Sequence, residues 1–366
     1  MTEQQPTAQS GIVDPLISES AHRLFGDVCG FDAVQQAETD RWSAPIWQAV
    51  ADSGFAWIGI PEQVGGSGGT LADACEVLRI AGANAAPIPL AETGLLGGWL
   101  LGSAGLTIPD GPVSVVPITA DQPLSAQATA DGGVVLSGSV DRVPWATSAH
   151  RLVVLLPVDD GDVVVSIDPA LVSVEAAENL AGEPRDTVSF AGVEIGADDV
   201  GEAPQGVNAE SLRLRGALSR VMMMAGALEA MSELTIEYTT DRQQFGRPVG
   251  RFQAVQQHLV WGAQDAAITT MAAQVAARDA SRDLMSAKFQ IGAAKVVADE
   301  AASTATRWAH QAHGAMGMTQ EYALHHYSRR LWAWRHEYSS PGQWASQVGD
   351  AAQTAGADRL YELIAT

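Results

Sequence analysis

Residues 209–366 contain only two prolines, Pro248 and Pro341, and otherwise run as apolar-periodic sequence, which leaves this part of the chain little choice but long packed helices. Five helices fit, roughly over 209–240, 251–280, 284–313, 319–336 and 341–364. The run Val221-Met222-Met223-Met224-Ala225-Gly226-Ala227-Leu228 is apolar on every face, as expected of the central helix of a bundle. Residues 241–256 join the first two helices and carry Arg242, Phe245 and the helix breakers Gly246, Pro248 and Gly250. Such a loop can simply pack and cap, but it also has the makings of an anion-binding elbow. Arg242 can fork onto a phosphate, and Phe252 and Gln253 open a helix whose free N–H groups and dipole favour the same negative charge. A dinucleotide pyrophosphate would fit.

Upstream, the texture changes twice. From about residue 14 to residue 105, helical patterns alternate with small-residue breaks, as in Ala44–Asp52 followed by the stop at Gly54. The Gly-rich stretch 62–69 lacks both the lysine of a phosphate loop and G-x-G-x-x-G spacing. Between 111 and 204, short strand-like runs at 113–118, 133–137, 151–157, 163–167 and 187–193 are separated by turn residues. The expectation is an α+β protein: an N-terminal α-helical domain over 1–108, a middle β domain over 109–204 and a C-terminal α-helical bundle over 205–366. A length of 366 residues exceeds what one hydrophobic core usually serves, and 46% hydrophobic residues can fill several.

A formal net charge of −22 argues against nucleic acid or an anionic membrane as partner. Against that field the cluster Arg242, Arg247 and Arg251 stands out. No run approaches the roughly 18–20 apolar residues of a membrane span. Met1-Thr2-Glu3-Gln4-Gln5 has neither the basic start nor the apolar core of a signal peptide, so a cytoplasmic protein is expected. Cys29 and Cys75 have no metal-ligand spacing and read as reduced thiols; no metal is expected.

Two segments together carry a family resemblance. Residues 242–253 resemble the Arg-x-x-Phe-Gly-x-Pro-x-x-x-Phe-Gln element of the acyl-CoA dehydrogenase family. Residues 310–322, His-Gln-Ala-His-Gly-Ala-Met-Gly-Met-Thr-Gln-Glu-Tyr, with Tyr327-Ser328-Arg329-Arg330 after them, resemble that family's other C-terminal signature. The resemblance implies FAD as cofactor, with Arg242, Phe245, Gln253, Gln311 and Gly314 against its ADP half. It also implies α,β-desaturation of an acyl-CoA thioester, in which a carboxylate takes the α-proton and the flavin accepts the β-hydride.

Two family positions supply that carboxylate, and here they fall on Ser219 and Tyr338. Glu337 is one residue from the second, a shift that turns a helical side chain by about 100°. Glu337 is therefore the candidate catalytic base, or else part of a solvated charge cluster with Arg335 and His336. The family's Thr-Glu-Pro…Gly-Ser-Asp stretch, which holds the flavin ring, has no counterpart in residues 116–124. Residues 138–149 do resemble the next family element, in which Trp145 would stack near the flavin or pack in the strand.

Motifs kept at the ADP end and lost at the ring end imply a non-catalytic partner subunit, like those of heteromeric actinobacterial dehydrogenases in sterol and acyl side-chain degradation. Its partners would be a paralogous acyl-CoA dehydrogenase subunit, the acyl-CoA substrate and an electron-acceptor flavoprotein. A self-sufficient homo-oligomer using Glu337, and a structural or acyl-CoA-sensing protein on the same fold, are the alternatives.

Overall fold

The computed structural model describes residues 11–365 apart from 120, 121, 123, 159 and 160, so the chain start and part of segment 116–124 lie outside the described residues. The first layer is helical: α1 (Pro15–Val28), α2 (Phe31–Asp40), α3 (Ala44–Asp52) and α4 (Leu71–Ala83), then a π-helical segment Ala91–Gly98 running into α5 (Trp99–Ser103). Local chemistry sets the starts. Asp14 and Ser43 accept from the first turns of α1 and α3, each with a proline in that turn, and Thr70 and Asp73 close a capping box on α4.

The middle layer is a pair of four-stranded sheets. One runs β1 (Val113–Val115), β4 (Arg151–Val158), β5 (Gly161–Ile167), β8 (Val200–Glu202); the other runs β2 (Ser125–Ala128), β3 (Val134–Pro144), β7 (Arg185–Ile195), β6 (Ser173–Glu175). The β1–β4 pair is parallel and the remaining pairs are antiparallel. Leu136, Val140, Leu152, Val154, Val165 and Val188 belong to one buried cluster that draws on both sheets. β3 and β7 outrun the apolar patterns that announce them because their mutual ladder continues through solvent-facing polar residues. β2, β6 and β8 carry almost no apolar signal, being short strands at sheet edges.

The last layer comprises α6 (Ala209–Asp241), α7 (Gln253–Arg282), α8 (Lys288–His313), α9 (Leu324–Trp334), α10 (Pro341–Ala355) and α11 (Leu360–Ala365). α9 is shorter than its periodicity predicts. It follows a 3-10 turn at Gly314–Met318, and beyond it Tyr338 and Ser339 take φ of 57° and 91°, which no helix allows. The expected single helix over 341–364 breaks at Gly356, whose φ is 74°. α6 packs against α4, α7, α8 and α9, with 221–228 fully buried. It meets α4 backbone to backbone: a Cβ on Gly226 would lie 1.8 Å from the Arg79 carbonyl oxygen, and one on Gly82 2.2 Å from that of Met223. Among the described residues no helix is long and apolar enough to cross a membrane.

Candidate active site and anion-binding elbow

A cavity of about 530 Å³ opens between the β layer and the C-terminal bundle. Val115–Thr119 after β1, Asp141–Pro144 of β3, the start of α6 and the turn His336–Ser339 line it, with Arg185 and Glu337 among its charged groups. The Glu337 carboxylate lies between two guanidinium groups. Arg185 reaches Oε1 at 2.8–2.9 Å and Arg220 reaches Oε2 at 2.5 Å. Burial alone would push this acid up, but the adjacent charges of Arg185 and Arg220 hold it at about 2. A carboxylate with both oxygens engaged and a pKa that low is a poor proton acceptor at neutral pH, where a general base works best poised near 7. The neighbouring positions offer no substitute. The buried Ser219 hydroxyl donates to Gly216 O at 2.7 Å, and the Tyr338 ring packs so closely on α6 that a Cβ on Gly216 would meet it at 2.2 Å.

The two ion pairs belong to a longer chain of alternating charge crossing all three layers. Glu92 of the π-helical segment binds Arg220. Arg185 also meets Glu183 at 3.2 Å, Glu183 lies 3.7 Å from Arg330, and Arg330 meets Glu38 of α2 at 2.6 Å. Trp334 donates its indole N–H to Glu183 at 2.9 Å. Glu38, His325 and His326 bring ligand-type atoms within 4.8 Å of one another, but Arg329 and Arg330 already bind Glu38, and two guanidinium groups repel a metal ion. Burial raises the two free thiols, Cys29 and Cys75, to about 12, which leaves them unreactive.

The elbow is built on the opposite logic. After α6 the chain forms a two-residue hairpin, β9 (Gln243–Gln244) with β10 (Arg247–Pro248), whose tip Phe245-Gly246 has φ of 52° and 79°. A tip with both residues at positive φ is a type I′ turn, which favours Asn-Gly, so Phe245 is held in a conformation its side chain disfavours. It is 90% exposed. Arg247 stacks on Phe252 at 4.1 Å, and none of Arg242, Arg247 and Arg251 has a carboxylate partner among the described residues. No side chain caps the first turn of α7, where Gln253 is exposed. Tyr238, in the last turn of α6, stacks on His313 at 4.4 Å, which brings the elbow beside the turn that starts at Gly314. Gln311 and Gly314 are both exposed there. The assembled surface suits a polyanion.

Residues 211–335 match the C-terminal domain of acyl-CoA dehydrogenases. The acyl-CoA dehydrogenase IpdE2 of Mycobacterium tuberculosis is 27% identical over 322 residues, covering 86% of this chain and 89% of that protein. Over most of its length the chain is similar to acyl-CoA dehydrogenases. Its backbone is similar to the ChsE4-ChsE5 complex of Mycobacterium tuberculosis at a TM-score of 0.84, with 22% identity over 98% of this chain and 100% of that one. Butyryl-CoA dehydrogenase of Megasphaera elsdenii superposes at 0.83, with 17% identity over 93% and 99% of the two chains. The family is one of oxidoreductases that use FAD, and the three-layer α+β fold is its fold.

Within that family plan, the structure gathers Arg242, Phe245, Gln253, Gln311 and Gly314 at one end of the bundle and puts Glu337 on the cavity. Trp145 goes elsewhere. It is buried, packs edge-on against Trp42 at 6.4 Å and is not among the residues lining the cavity. The cluster suggested for Arg335, His336 and Glu337 is split: His336 is exposed, Arg335 turns to Ser303 at 2.7 Å and Glu337 turns inward to the two arginines. Sequence reasoning missed Arg185, Arg220, Glu92 and Glu183. A usable signal was present for one of them: Arg220 abuts the all-apolar run 221–228, and a charge there needs a buried partner.

Proposed function

We propose that this chain is the non-catalytic partner subunit of a heteromeric acyl-CoA dehydrogenase. It contributes the ADP-side contacts to an FAD whose ring lies in a paralogous catalytic chain. Glu337 carries the reading: the carboxylate next to the family's base position is bracketed by Arg185 and Arg220 and kept ionised.

The ring end of this chain does not suit a flavin. The Thr147 hydroxyl and amide both bind the buried Asp186 at 2.9 Å, Trp145 is engaged by Trp42, and Glu337 is engaged by its arginines. The ADP end does suit it. Unpaired Arg242, Arg247 and Arg251 would meet the pyrophosphate together with the uncapped start of α7. Phe245, Met316 and Met318, all exposed, supply the apolar surface that a partner chain would cover. When bound, FAD provides the hydride acceptor; the proton is taken by the other chain. The acyl-CoA and any electron-acceptor flavoprotein would likewise be met mainly by that chain.

Purifying the chain alone and together with a full-motif paralogue tests this. The lone chain should be colourless and the pair yellow and active, with Glu337→Gln in the pair retaining turnover within about tenfold. A lone chain that is yellow and active, and loses the roughly 10²–10⁴-fold attributable to a positioned base on Glu337→Gln, would return Glu337 to catalysis.

A further inference from the structure

The same cavity carries one charge that no carboxylate among the described residues answers. Arg142 lies in the β3–β7 ladder where the register slips: Val140 faces Val188, Val143 faces Asp186, and Asp141 with Arg142 stand opposite Thr187 alone. This is a bulge, a device that re-aims a side chain. Arg142 sits in it at φ 62°, a left-handed position that favours glycine, and an unfavourable conformation retained at a cavity edge points to a role there.

The other charged groups of the lining are satisfied. Arg213 pairs with Glu210 at 2.7 Å, Arg185 with Glu337 and Glu183, and the Asp141 carboxylate accepts the Thr187 hydroxyl at 2.8 Å. Burial, with the charges of Arg335, Lys295 and Arg142, pushes His336 toward its neutral form. Among the described residues Arg142 has no carboxylate partner, in a chain of net charge −22. Behind it the walls are apolar, formed by Val116, Ile118, Leu155, Leu212 and the Tyr338 ring. One free cation at the rim of an apolar cavity within the size range of small-molecule sites selects a particular chemistry.

We propose that this cavity binds an amphipathic monocarboxylate, its carboxylate taken by Arg142 and its hydrocarbon body by the apolar walls, and that the ligand is held without being transformed. The proposal rests on the reading that the cavity holds neither a flavin nor a working base.

Calorimetric titration of the full chain with decanoate and with decanol tests it, with flavin absorbance recorded on the same sample. Decanoate should bind and decanol should not, or only far more weakly. Arg142→Gln should weaken decanoate binding roughly tenfold to a hundredfold, the loss of one charge-assisted contact. Arg142→Gly also removes the charge but relieves the left-handed backbone, so lost binding with unchanged or higher thermal stability separates the site from the fold. Equal affinity for the acid and the alcohol, or unchanged decanoate affinity in Arg142→Gln, overturns the proposal and leaves the cofactor reading standing. Flavin bound in the lone chain overturns the cofactor reading, and the proposal with it.

Discussion

The cavity and the elbow treat charge in opposite ways. Around Glu337 almost every ionised group is buried and matched inside the chain, so its electrostatics are fully engaged in holding three layers together. At the elbow three arginines have no carboxylate partner among the described residues, and beside them lie an exposed phenylalanine and a helix start without a side-chain cap. Matched buried charges confer rigidity and are costly to disturb, whereas unmatched exposed donors contribute little to the fold and remain open to a ligand. The difference teaches where function from outside can enter: at the elbow, and only marginally at the catalytic position.

The largest effect should come from breaking the buried side. Arg220→Met leaves Glu92 without its cation and Glu337 with only Arg185, and uncompensated buried charge typically costs about 3–5 kcal/mol. Chemical denaturation of the variant reads this directly. A loss under about 1 kcal/mol would mean that the network is wetter and looser than its geometry indicates, and would erase the contrast. At the elbow, Arg242→Ala should leave unfolding unchanged and weaken FAD retention in the assembled pair by about 1.5–3 kcal/mol, roughly tenfold to a hundredfold. Equilibrium dialysis of the flavin measures it, and unchanged retention would remove Arg242 from the cofactor contacts.

Acid should separate the two regions as well. Glu337 and Glu38 both sit at about 2, well below the ordinary 4.5, because neighbouring cationic groups outweigh the effect of burial. A depressed folded pKa means that the unfolded chain takes up protons first. The stabilisation from these two acids is thus complete above about 4.5 and is lost as pH falls toward 2. His325 adds to the trend from higher pH: burial, then the charges of His326 and Arg329, lower it to about 4, so the unfolded chain protonates there first too. Unfolding free energy measured from neutral pH downward should fall steeply in this window, and the slope should flatten in Glu337→Gln. An unaltered slope in that variant would place the acid sensitivity elsewhere.

Much of this was legible in the sequence, for physical reasons. The all-apolar run 221–228 announced a central helix, and turn chemistry announced the five strands with apolar alternation. The elbow was legible because its breakers and its arginines are contiguous. The network was not, because Glu38, Glu92, Glu183, Arg185, Arg220, Arg330 and Glu337 come from six separate stretches of chain, and only the fold reveals which charges meet. Edge strands β2, β6 and β8 escaped because an edge needs no apolar face. The slip that separates Tyr338 from Glu337 also needed coordinates: two consecutive positive-φ residues take the chain out of helical register, so counting along a helix did not apply there.

The smallest effect isolates the elbow from the fold altogether. Phe245 occupies the first tip position of a type I′ hairpin at φ 52°, followed by Gly246 at 79°, and its ring is 90% exposed. In an isolated chain the exposed ring has an edge-on contact with Phe252 at 6.2 Å to set against an unfavourable backbone. Asn-Gly is the preferred pair for this turn, so Phe245→Asn should stabilise the lone chain by a few tenths to about 1 kcal/mol, at or below the lower end of the roughly 1–3 kcal/mol ascribed to such backbone positions, since asparagine relieves only part of the strain. If the ring is retained for a partner's cofactor, the same substitution should lower flavin retention in the assembled pair. Opposite signs in the two measurements would show a local instability kept for binding. A variant that is more stable alone and equally good at holding flavin would reduce Phe245 to an ordinary exposed side chain, and would leave the arginines alone to account for the elbow.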